Sequence, residues 1–410
     1  MTVVVQITPE IGPGTGVGAV AHHLEQEWRR AGVEVRLFSM TEAGGDWLPQ
    51  PGGGVRGRLA LVARVVWFST VGTRRARRYL RDHPDQLSVC HNDVVAGDVY
   101  VNHGIVQAAM RARGHYWLRM LRNPLHLFTT TRDRLRYSRP GSHRAVVNLV
   151  TGEEALLRQS YPRLAIPTVV IGNGVDTERY CPPTSVERRA ARAALGHDAN
   201  DRLVLFIGNE FGRKGLPLVL SALTDLDDRT HLHVVGGTPD LVTQASAEAA
   251  HLGLGPRVHF AGAQTDPRPW LRAADVLVMP SAYESFGLVV LEALASGVPV
   301  VATPTGCVPD LVVDGVNGAV VAGTRVQLAA GLATVLSADR DAMAAGARTT
   351  AEAHSWARVA ERYLELLVGL RQGLRPGPDA PTASSLSAAA SAASVSEATP
   401  GPVPRDQVRS

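Results

Sequence analysis

The apolar positions of the chain fall into short continuous runs separated by stretches with helical spacing. The first run, Thr2 to Thr8, is apolar without alternation, which is typical of a strand buried on both faces of a parallel sheet. After a glycine-rich turn, an amphipathic pattern from about Val17 to Arg30 predicts a helix ended by Gly32, and VEVRLFS predicts a second strand. This β-loop-α-β unit is followed by the strand candidates QLSVC, VYVN and RAVVNLV.

A second series of strands and helices begins after the turn IGNGVD (171–176) and the prolines Pro182 and Pro183. Its strand candidates are RLVLFIG, HLHVVGG, RVHFAG, DVLVMP, VPVVAT and GAVV. Strands that alternate with helices predict parallel sheets with right-handed crossovers. The two series therefore predict an α/β protein with two doubly wound domains and a boundary near residues 165–185.

The C-terminal part of the chain contains one more regular element. Ser355 to Leu370 predicts a strong amphipathic helix with Ser355 as its N-cap. From Gly373 onward Pro, Ala, Ser and Gly dominate, so too little apolar surface is available to offset the ordering entropy, and we expect a disordered tail. The predicted organisation is a first domain at 1–170, a second at 171–354, a helix at 355–372 and a tail at 373–410.

Composition narrows the class of protein. A hydrophobic content of 45% over 410 residues is enough for two globular cores, and a net charge of +4 is too weak to predict a nucleic-acid partner. Three widely spaced cysteines fit neither a disulfide framework nor a metal site, which favours a reducing compartment. Neither a signal peptide nor a run of about 20 apolar residues is found, so we expect a cytoplasmic protein without a membrane span.

Arg213 and Lys214 are the first candidate site residues. Lys214 is the only lysine in the chain, and it lies in FIGNEFGRKGLPLVL (206–220), where a strand enters a glycine-flanked loop before a helix. Adjacent cations after a strand suit a pyrophosphate, because arginine offers a fork of donors and lysine a compact charge. A basic pair on the surface is the ordinary alternative.

The stretch 280–306 carries the second candidate site. The strand DVLVMP leads into a loop with Glu284, Phe286 and Gly287, and a helix follows to about Ser296. The free N–H groups at the start of such a helix form a phosphate site without a cation. Glu292 lies about one turn inside the helix among apolar residues, where ribose hydroxyls would be suitable donors, although an internal partner is the common alternative.

Two weaker signals lie in the first domain. The turn GPGTGVG (12–18) follows the first strand, but it lacks the G-x-G-x-x-G spacing, and no acidic residue closes the second strand. A nicotinamide enzyme is therefore disfavoured. His103 in VYVNHG lies between a strand and a helix that starts near Ile105, where a neutral imidazole could hold a sugar hydroxyl or be merely structural.

Missing motifs limit the chemistry further. The sequence has no G-x-x-x-x-G-K-[ST], H-E-x-x-H or C-x-x-C motif, and no acidic D-x-D at the end of a predicted strand to hold a metal-diphosphate. We therefore expect no metal and no cofactor, with phosphate charge neutralised by Arg213, Lys214 and helix dipoles.

These motifs resemble the family-4 retaining glycosyltransferases of the GT-B fold over about residues 1–370. The most specific element is E-x7-E, Glu284 to Glu292, and it is supported by IGNGVD, RKG, PGTGVGAVAHHL and GCVPDLVVDGVNG. The segment GNEFGRKG is most similar to the corresponding segment of lipopolysaccharide-core glucosyltransferases. This similarity favours a UDP-sugar over GDP-mannose as donor. The acceptor expected from the resemblance is a glycan, a lipid-linked glycan or a small molecule bound by the first domain.

The resemblance also implies a role for each matching residue. Arg213 and Lys214 would bind the diphosphate, and Glu292 would bind the ribose. Backbone N–H groups of Phe286, Gly287 and Leu288 would contact the donor, as would Gly16, while Glu284 and His103 would contact the transferred sugar. The departing diphosphate would help to deprotonate the acceptor, and the final helix would cross back onto the first domain. Gly306-Cys307 and Asp310 depart from the family's usual pair of glycines and glutamate, which leaves the sugar open.

A basic stretch at 56–82 mixes apolar residues with many arginines. As an amphipathic helix it would suit an anionic membrane surface, with the protein peripheral on the inner face, or it would be an ordinary solvated helix. Two other classes of function are alternatives. One is an enzyme of the same shape, either a nucleotide-sugar epimerase or an α-glucan phosphorylase; a phosphorylase needs a lysine that carries pyridoxal, and Lys214, the only lysine, is expected to bind phosphate. The other is a non-catalytic binding protein that retains the fold, and the presence of both glutamates and the cation pair argues against it.

Overall fold

The computed structural model describes residues 2–12, 16–112 and 114–374, which form two six-stranded sheets with helices around them. Every strand pair in both sheets is parallel. The two doubly wound sheets expected from the sequence are therefore present. Residues 375–410, most of the segment predicted to be a disordered tail, lie outside the described residues.

The first sheet has the strand order β2-β1-β3-β4-β5-β6. Its strands are β1 Val3–Ile7, β2 Glu34–Phe38, β3 Leu87–His91, β4 Val99–Asn102, β5 Ala145–Asn148 and β6 Thr168–Val170. β1, β3, β4 and β5 are buried along their whole length, because helices cover both faces. The sequence did not indicate β6, since a strand of three residues carries almost no periodicity.

The second sheet has the strand order β12-β11-β10-β7-β8-β9. Its strands are β7 Arg202–Ile207, β8 Thr230–Val235, β9 Val258–Gly262, β10 Val276–Met279, β11 Val300–Ala302 and β12 Gly318–Val320, as the sequence predicted. Because β7 and β10 are neighbours although four α-helices and two strands separate them in the chain, the order reverses between them. Such a reversal opens a crevice at the carboxyl ends of the strands.

Helices connect the strands. In the first half of the chain they are α1 Val17–Arg30, α2 Gly54–Trp67, α3 Thr73–Asp82, α4 Val106–Ala112, α5 Tyr116–Arg122, α6 Pro124–Ser138 and α7 Thr151–Ser160. In the second half they are α8 Ser185–Ala194, α9 Phe211–Lys214, α10 Leu216–Leu223, α11 Pro239–His251, α12 Arg268–Ala273, α13 Leu288–Ala295, α14 Val308–Leu311, α15 Arg325–Ser337, α16 Arg340–Ala353 and α17 Trp356–Arg371. Among the described residues, no helix combines the length and apolar character needed to cross a bilayer.

The last helix, α17, packs against the first sheet's helices rather than those of the second. Ser355 Oγ accepts a hydrogen bond from the Arg358 backbone, as expected of the predicted N-cap. The indole of Trp28 on α1 donates to the Ala360 carbonyl at 2.9 Å, and its ring meets Tyr363 edge-on. α17 therefore ties the C-terminal part of the described chain to the N-terminal sheet.

The predicted basic stretch is helical but not fully exposed. α2, a π-helical turn at Phe68–Gly72 and α3 follow one another without a break. One face is buried, and Arg64 on that face pairs with Glu10 at 2.8 Å. The arginines that a membrane would attract therefore come from the opposite face.

Candidate functional site

A cleft of about 280 Å³ opens where the strand order of the second sheet reverses. The loops after β7 and β10 reach it from one side, and α1 and the segment after β4 reach it from the other. Its lining includes seven residues singled out from the sequence, namely Gly16, His103, Lys214, Glu284, Phe286, Gly287 and Leu288. Arg213 lines an adjoining groove, and Glu292 lies one turn deeper along α13.

Glu284 forms ion pairs with both candidate cations. Its Oε1 atom lies 3.2 Å from Lys214 Nζ and 3.3 Å from a guanidinium nitrogen of Arg213. Arg213 also pairs with Glu210 and donates to the Tyr283 carbonyl, while Glu284 accepts from Ser281 at 3.2 Å. The Glu284 side chain is only 9% exposed, so its charge is compensated by protein groups.

The two cations lie in the single turn α9, whereas the sequence suggested a loop before a helix. Gly215 ends the turn in a left-handed conformation with φ of 82°, and a side chain there would collide with the Pro280 carbonyl. A Cβ on Gly208 would likewise collide with the stem of Lys214. The two glycines thus let the lysine cross the end of β7 and reach the cleft.

Two helix starts point into the cleft. Gly287, with φ of 89°, precedes α13, and Gly16, with φ of 86°, precedes α1. Within the described residues no side chain caps either start, which leaves N–H groups available to an anion. Phe286 is 4% exposed and its carbonyl accepts from Cys307 at 2.8 Å, so its side chain and carbonyl serve the loop itself.

Glu292 has an internal partner that the sequence did not reveal. The hydroxyl of Tyr180 lies beside its carboxylate and favours the charged form of that carboxylate. Burial raises the pKa of Glu292, while Tyr180, Arg179 and Lys214 oppose that rise. The carboxylate therefore lies beside the cleft with a protein hydroxyl next to it.

A hydrogen-bond relay fixes the tautomer of His103. The Gln6 amide donates through Nε2 to the Ala21 carbonyl at 2.8 Å, so its oxygen accepts from His91 Nε2 at 3.1 Å. His91 Nδ1 must then accept from His103 Nε2 at 3.0 Å. Burial lowers the pKa of His103 to about 4, so the ring is neutral at pH 7 and its Nδ1 keeps a lone pair.

The residues that depart from the family pattern have structural partners. Gly306 has φ of 57°, and a side chain there would collide with the Phe286 carbonyl. Cys307 is buried, and burial raises the pKa of its thiol. Asp310 accepts from the Thr151 backbone at 2.8 Å, which connects the second half of the chain to the start of α7.

Asn173 is a cleft residue that the sequence reasoning did not select. It belongs to the turn IGNGVD, it is 5% exposed, and its side-chain oxygen has no hydrogen-bond partner within the described residues. A buried acceptor without a partner is costly unless a ligand supplies the donor. The signal that could have identified it was the turn itself, which was used only as a boundary.

Comparisons with known proteins agree with this geometry. Residues 187–351 match the family described as "Glycosyl transferases group 1", so this part of the chain is a domain of that kind. A D-inositol 3-phosphate glycosyltransferase of Xylanimonas cellulosilytica is 36% identical over 208 residues, 48% of this chain and 50% of the relative. One of Geodermatophilus obscurus is 39% identical over 212 residues, 47% of this chain and 45% of the relative. The chain thus spans about half the length of the curated relatives it matches.

Solved structures match over nearly the whole chain. WaaG, a glycosyltransferase involved in lipopolysaccharide biosynthesis, superposes with a TM-score of 0.68 at 23% identity, covering 89% of this chain and 100% of WaaG. HepE of Anabaena, in complex with UDP and glucose, gives 0.63 at 22% identity, covering 89% of this chain and 99% of HepE. The fold of this chain is therefore GT-B.

Proposed function

We propose that this chain is a retaining glycosyltransferase of the family-4 type that transfers a hexose from a nucleotide-diphosphate sugar, with a UDP-sugar favoured as donor. The observation that carries the proposal is the convergence on one cleft of Lys214, Glu284 and the uncapped start of α13. Cations and free N–H groups at one point suit a diphosphate. The carboxylate among them would select hydroxyl groups of a sugar.

Each group has a separate task in this reaction. Arg213, Lys214 and the N–H groups of Phe286, Gly287 and Leu288 bind the diphosphate and stabilise its charge as it leaves. Glu292 accepts from the ribose hydroxyls. His103, neutral and with a free Nδ1, accepts from a sugar hydroxyl.

The acceptor loses its proton to the departing diphosphate on the same face of the sugar. No nucleophile from the protein and no metal takes part in the proposed step. Turnover in the presence of a chelator is the check on this point, and loss of turnover would reject it.

The acceptor would approach from the first half of the chain. A groove of about 470 Å³ adjoins the cleft, with Arg119 of α5 on one side and Arg213 on the other. Arg119, which faces this groove and is not assigned to the donor, would suit an acceptor that carries phosphate. D-inositol 3-phosphate should be among the acceptors that are tested, because it appears in the names of the relatives above. A lipid-linked or free glycan is the other acceptor class.

The first experiment is a thermal-shift panel of UDP, GDP, ADP and dTDP sugars. A ligand at 100 times its dissociation constant stabilises the protein by roughly 2.7 kcal/mol, which such an assay detects easily. The second is transfer from the stabilising donor, measured by release of nucleoside diphosphate with and without acceptor. The anomeric configuration of the product tests retention.

Outcomes of these assays separate the alternatives. An epimerase would convert the donor sugar without any acceptor, and a binding protein would be stabilised but release no diphosphate. Lys214→Ala, Glu284→Ala and Glu292→Ala should each reduce transfer sharply while the protein stays folded. Parent-like transfer by all three would reject the assigned site.

We also propose peripheral contact with the inner face of a membrane through α2 and α3. Val55, Leu59 and Leu61 are exposed on α2. Exposed arginines accompany them on the same pair of helices: Arg56, Arg58, Arg74, Arg75, Arg77, Arg78 and Arg81. Apolar residues beside cations suit anionic headgroups. Flotation with anionic and with neutral liposomes tests this proposal. A protein that floats with neither kind of liposome would reject it.

A further inference from the structure

Four histidines cluster at the edge of the second sheet that lies opposite the cleft. His231 and His233 are two residues apart on β8 and therefore project from the same face. His259 on β9 is in register with His233, and His197 from the turn before β7 packs against them. His197 precedes β7, His231 and His259 are the second residues of their strands, and His233 is the fourth of six in β8, whereas the cleft is at the strands' carboxyl ends.

We propose that His197, His231 and His259 form a binding site for one divalent transition-metal ion of the zinc class. Each of the three offers one ligand nitrogen, and these atoms all lie within 4.8 Å of one another. Three imidazoles with an open fourth position form a well-known kind of zinc site. The site is separate from the proposed transfer reaction and does not depend on it.

The spacing of one pair of ligand nitrogens agrees with this metal. His231 Nδ1 lies 3.3 Å from His259 Nε2. Two nitrogens bound to a tetrahedral zinc at roughly 2.0–2.1 Å are about 3.3–3.4 Å apart. The two side chains are partly exposed, so an ion can reach them from solvent.

The third imidazole is oriented by neighbours. His197 Nδ1 lies 3.3 Å from Asp201 Oδ2, and its Nε2 lies 2.8 Å from His233 Nε2. Metal binding by His197 would replace one of these contacts and leave the other to fix the ring, as outer partners commonly do at metal sites.

The ion would join three segments that are apart in the chain, namely the turn before β7, β8 and β9. Because such a site is not preformed in the unfolded chain, metal binding adds to the stability of the folded state. The ion is therefore expected to add to the stability of the second sheet.

The test uses the full chain without a histidine tag, stripped by chelator and dialysed. Titration with zinc chloride is expected to give one ion per chain with micromolar or tighter affinity and a rise of several degrees in Tm. His231→Ala and His259→Ala should each weaken binding at least tenfold. His251→Ala, an exposed histidine of α11 in the same half of the chain, is the matched control and should bind like the parent.

Absence of stoichiometric binding to the parent chain, or equal binding by the parent and both cluster variants, would overturn the proposal. If the variants fail to fold, the test is the visible absorption spectrum of the parent chain after cobalt(II) is added. Visible absorption bands of a tetrahedral nitrogen site support the proposal, and their absence rejects it.

Discussion

The carboxylate of Glu284 lies 3.2 Å from the ammonium of Lys214, the only lysine in the chain. One residue follows β10 and the other follows β7, and these strands are neighbours at the point where the sheet order reverses. A diphosphate bound by Lys214 would therefore compete with, or share the cation with, a protein carboxylate. Loss of the Lys214 charge should therefore weaken diphosphate binding, whereas loss of the Glu284 charge should not.

Replacing Lys214 by Met should weaken UDP binding about 10–100-fold. The variant keeps the apolar stem over Gly208 but loses charge-assisted hydrogen bonds, which contribute roughly 1.5–3 kcal/mol. Isothermal titration calorimetry measures the change. Arg202→Met, an exposed arginine at the other end of the same strand, should bind like the parent. If the Lys214 variant and the parent bound UDP with equal affinity, Lys214 would not be part of the diphosphate site.

Glu284→Gln should separate binding from transfer. Without its negative charge, Lys214 and Arg213 are free to pair with a phosphate, so UDP should bind as tightly as to the parent or a few times more tightly. Transfer should slow at least tenfold, because the amide accepts less strongly from sugar hydroxyls. Calorimetry and initial rates on the same preparation give both numbers. Weaker UDP binding with an unchanged rate would contradict the assignment.

Glu292 should determine whether the site recognises a ribose. The parent is expected to bind UDP at least about tenfold better than 2′-deoxy-UDP, because each lost hydrogen bond to a charged group costs roughly 1.5–3 kcal/mol. Glu292→Ala should bind both nucleotides equally weakly. Tyr180→Phe removes only the internal partner and should keep the discrimination. A Glu292→Ala protein that still prefers UDP would show that the ribose is bound elsewhere.

Glu153 on α7 should make stability depend on pH. Burial raises its pKa to about 8 from a usual 4.5, although one oxygen accepts from the Leu149 backbone at 2.9 Å. The folded state thus holds a proton that the unfolded state releases above pH 4.5. The stabilisation that this proton gives the folded state is complete below pH 4.5 and is lost as pH rises through about 8. The free energy of unfolding falls over this range by up to about 1.4 kcal/mol per pH unit.

Glu153→Gln should remove that slope and be more stable than the parent at pH 8. Denaturant unfolding at several pH values between 5 and 8 measures it. Glu154→Gln is the matched control, because Glu154 pairs with Arg158 near the surface and its pKa is lowered. If the free energy of unfolding changed with pH in the same way for the parent and for Glu153→Gln, Glu153 would be ionised in the folded protein.

Much of the fold could be predicted because it depends on local patterns. Short apolar runs predicted eleven of the twelve strands found in the described residues, and Val17–Arg30 was predicted with the bounds that the structure has. β6 was missed because three residues are too few to show a period. α9 was missed because its single turn depends on Gly215, whose left-handed conformation is required by the approach of the Pro280 carbonyl.

The sequence by itself determined which residues follow strands, and parallel strands direct their carboxyl ends to one edge. That was enough to select Arg213, Lys214, Glu284 and His103 as candidates. Only the tertiary structure decided their partners: Glu284 with Lys214, Glu292 with Tyr180, and His103 with His91 and Gln6. The physical reason is distance along the chain, since hydrogen bonds and ion pairs between remote segments depend on sheet order and side-chain direction, which no local pattern encodes.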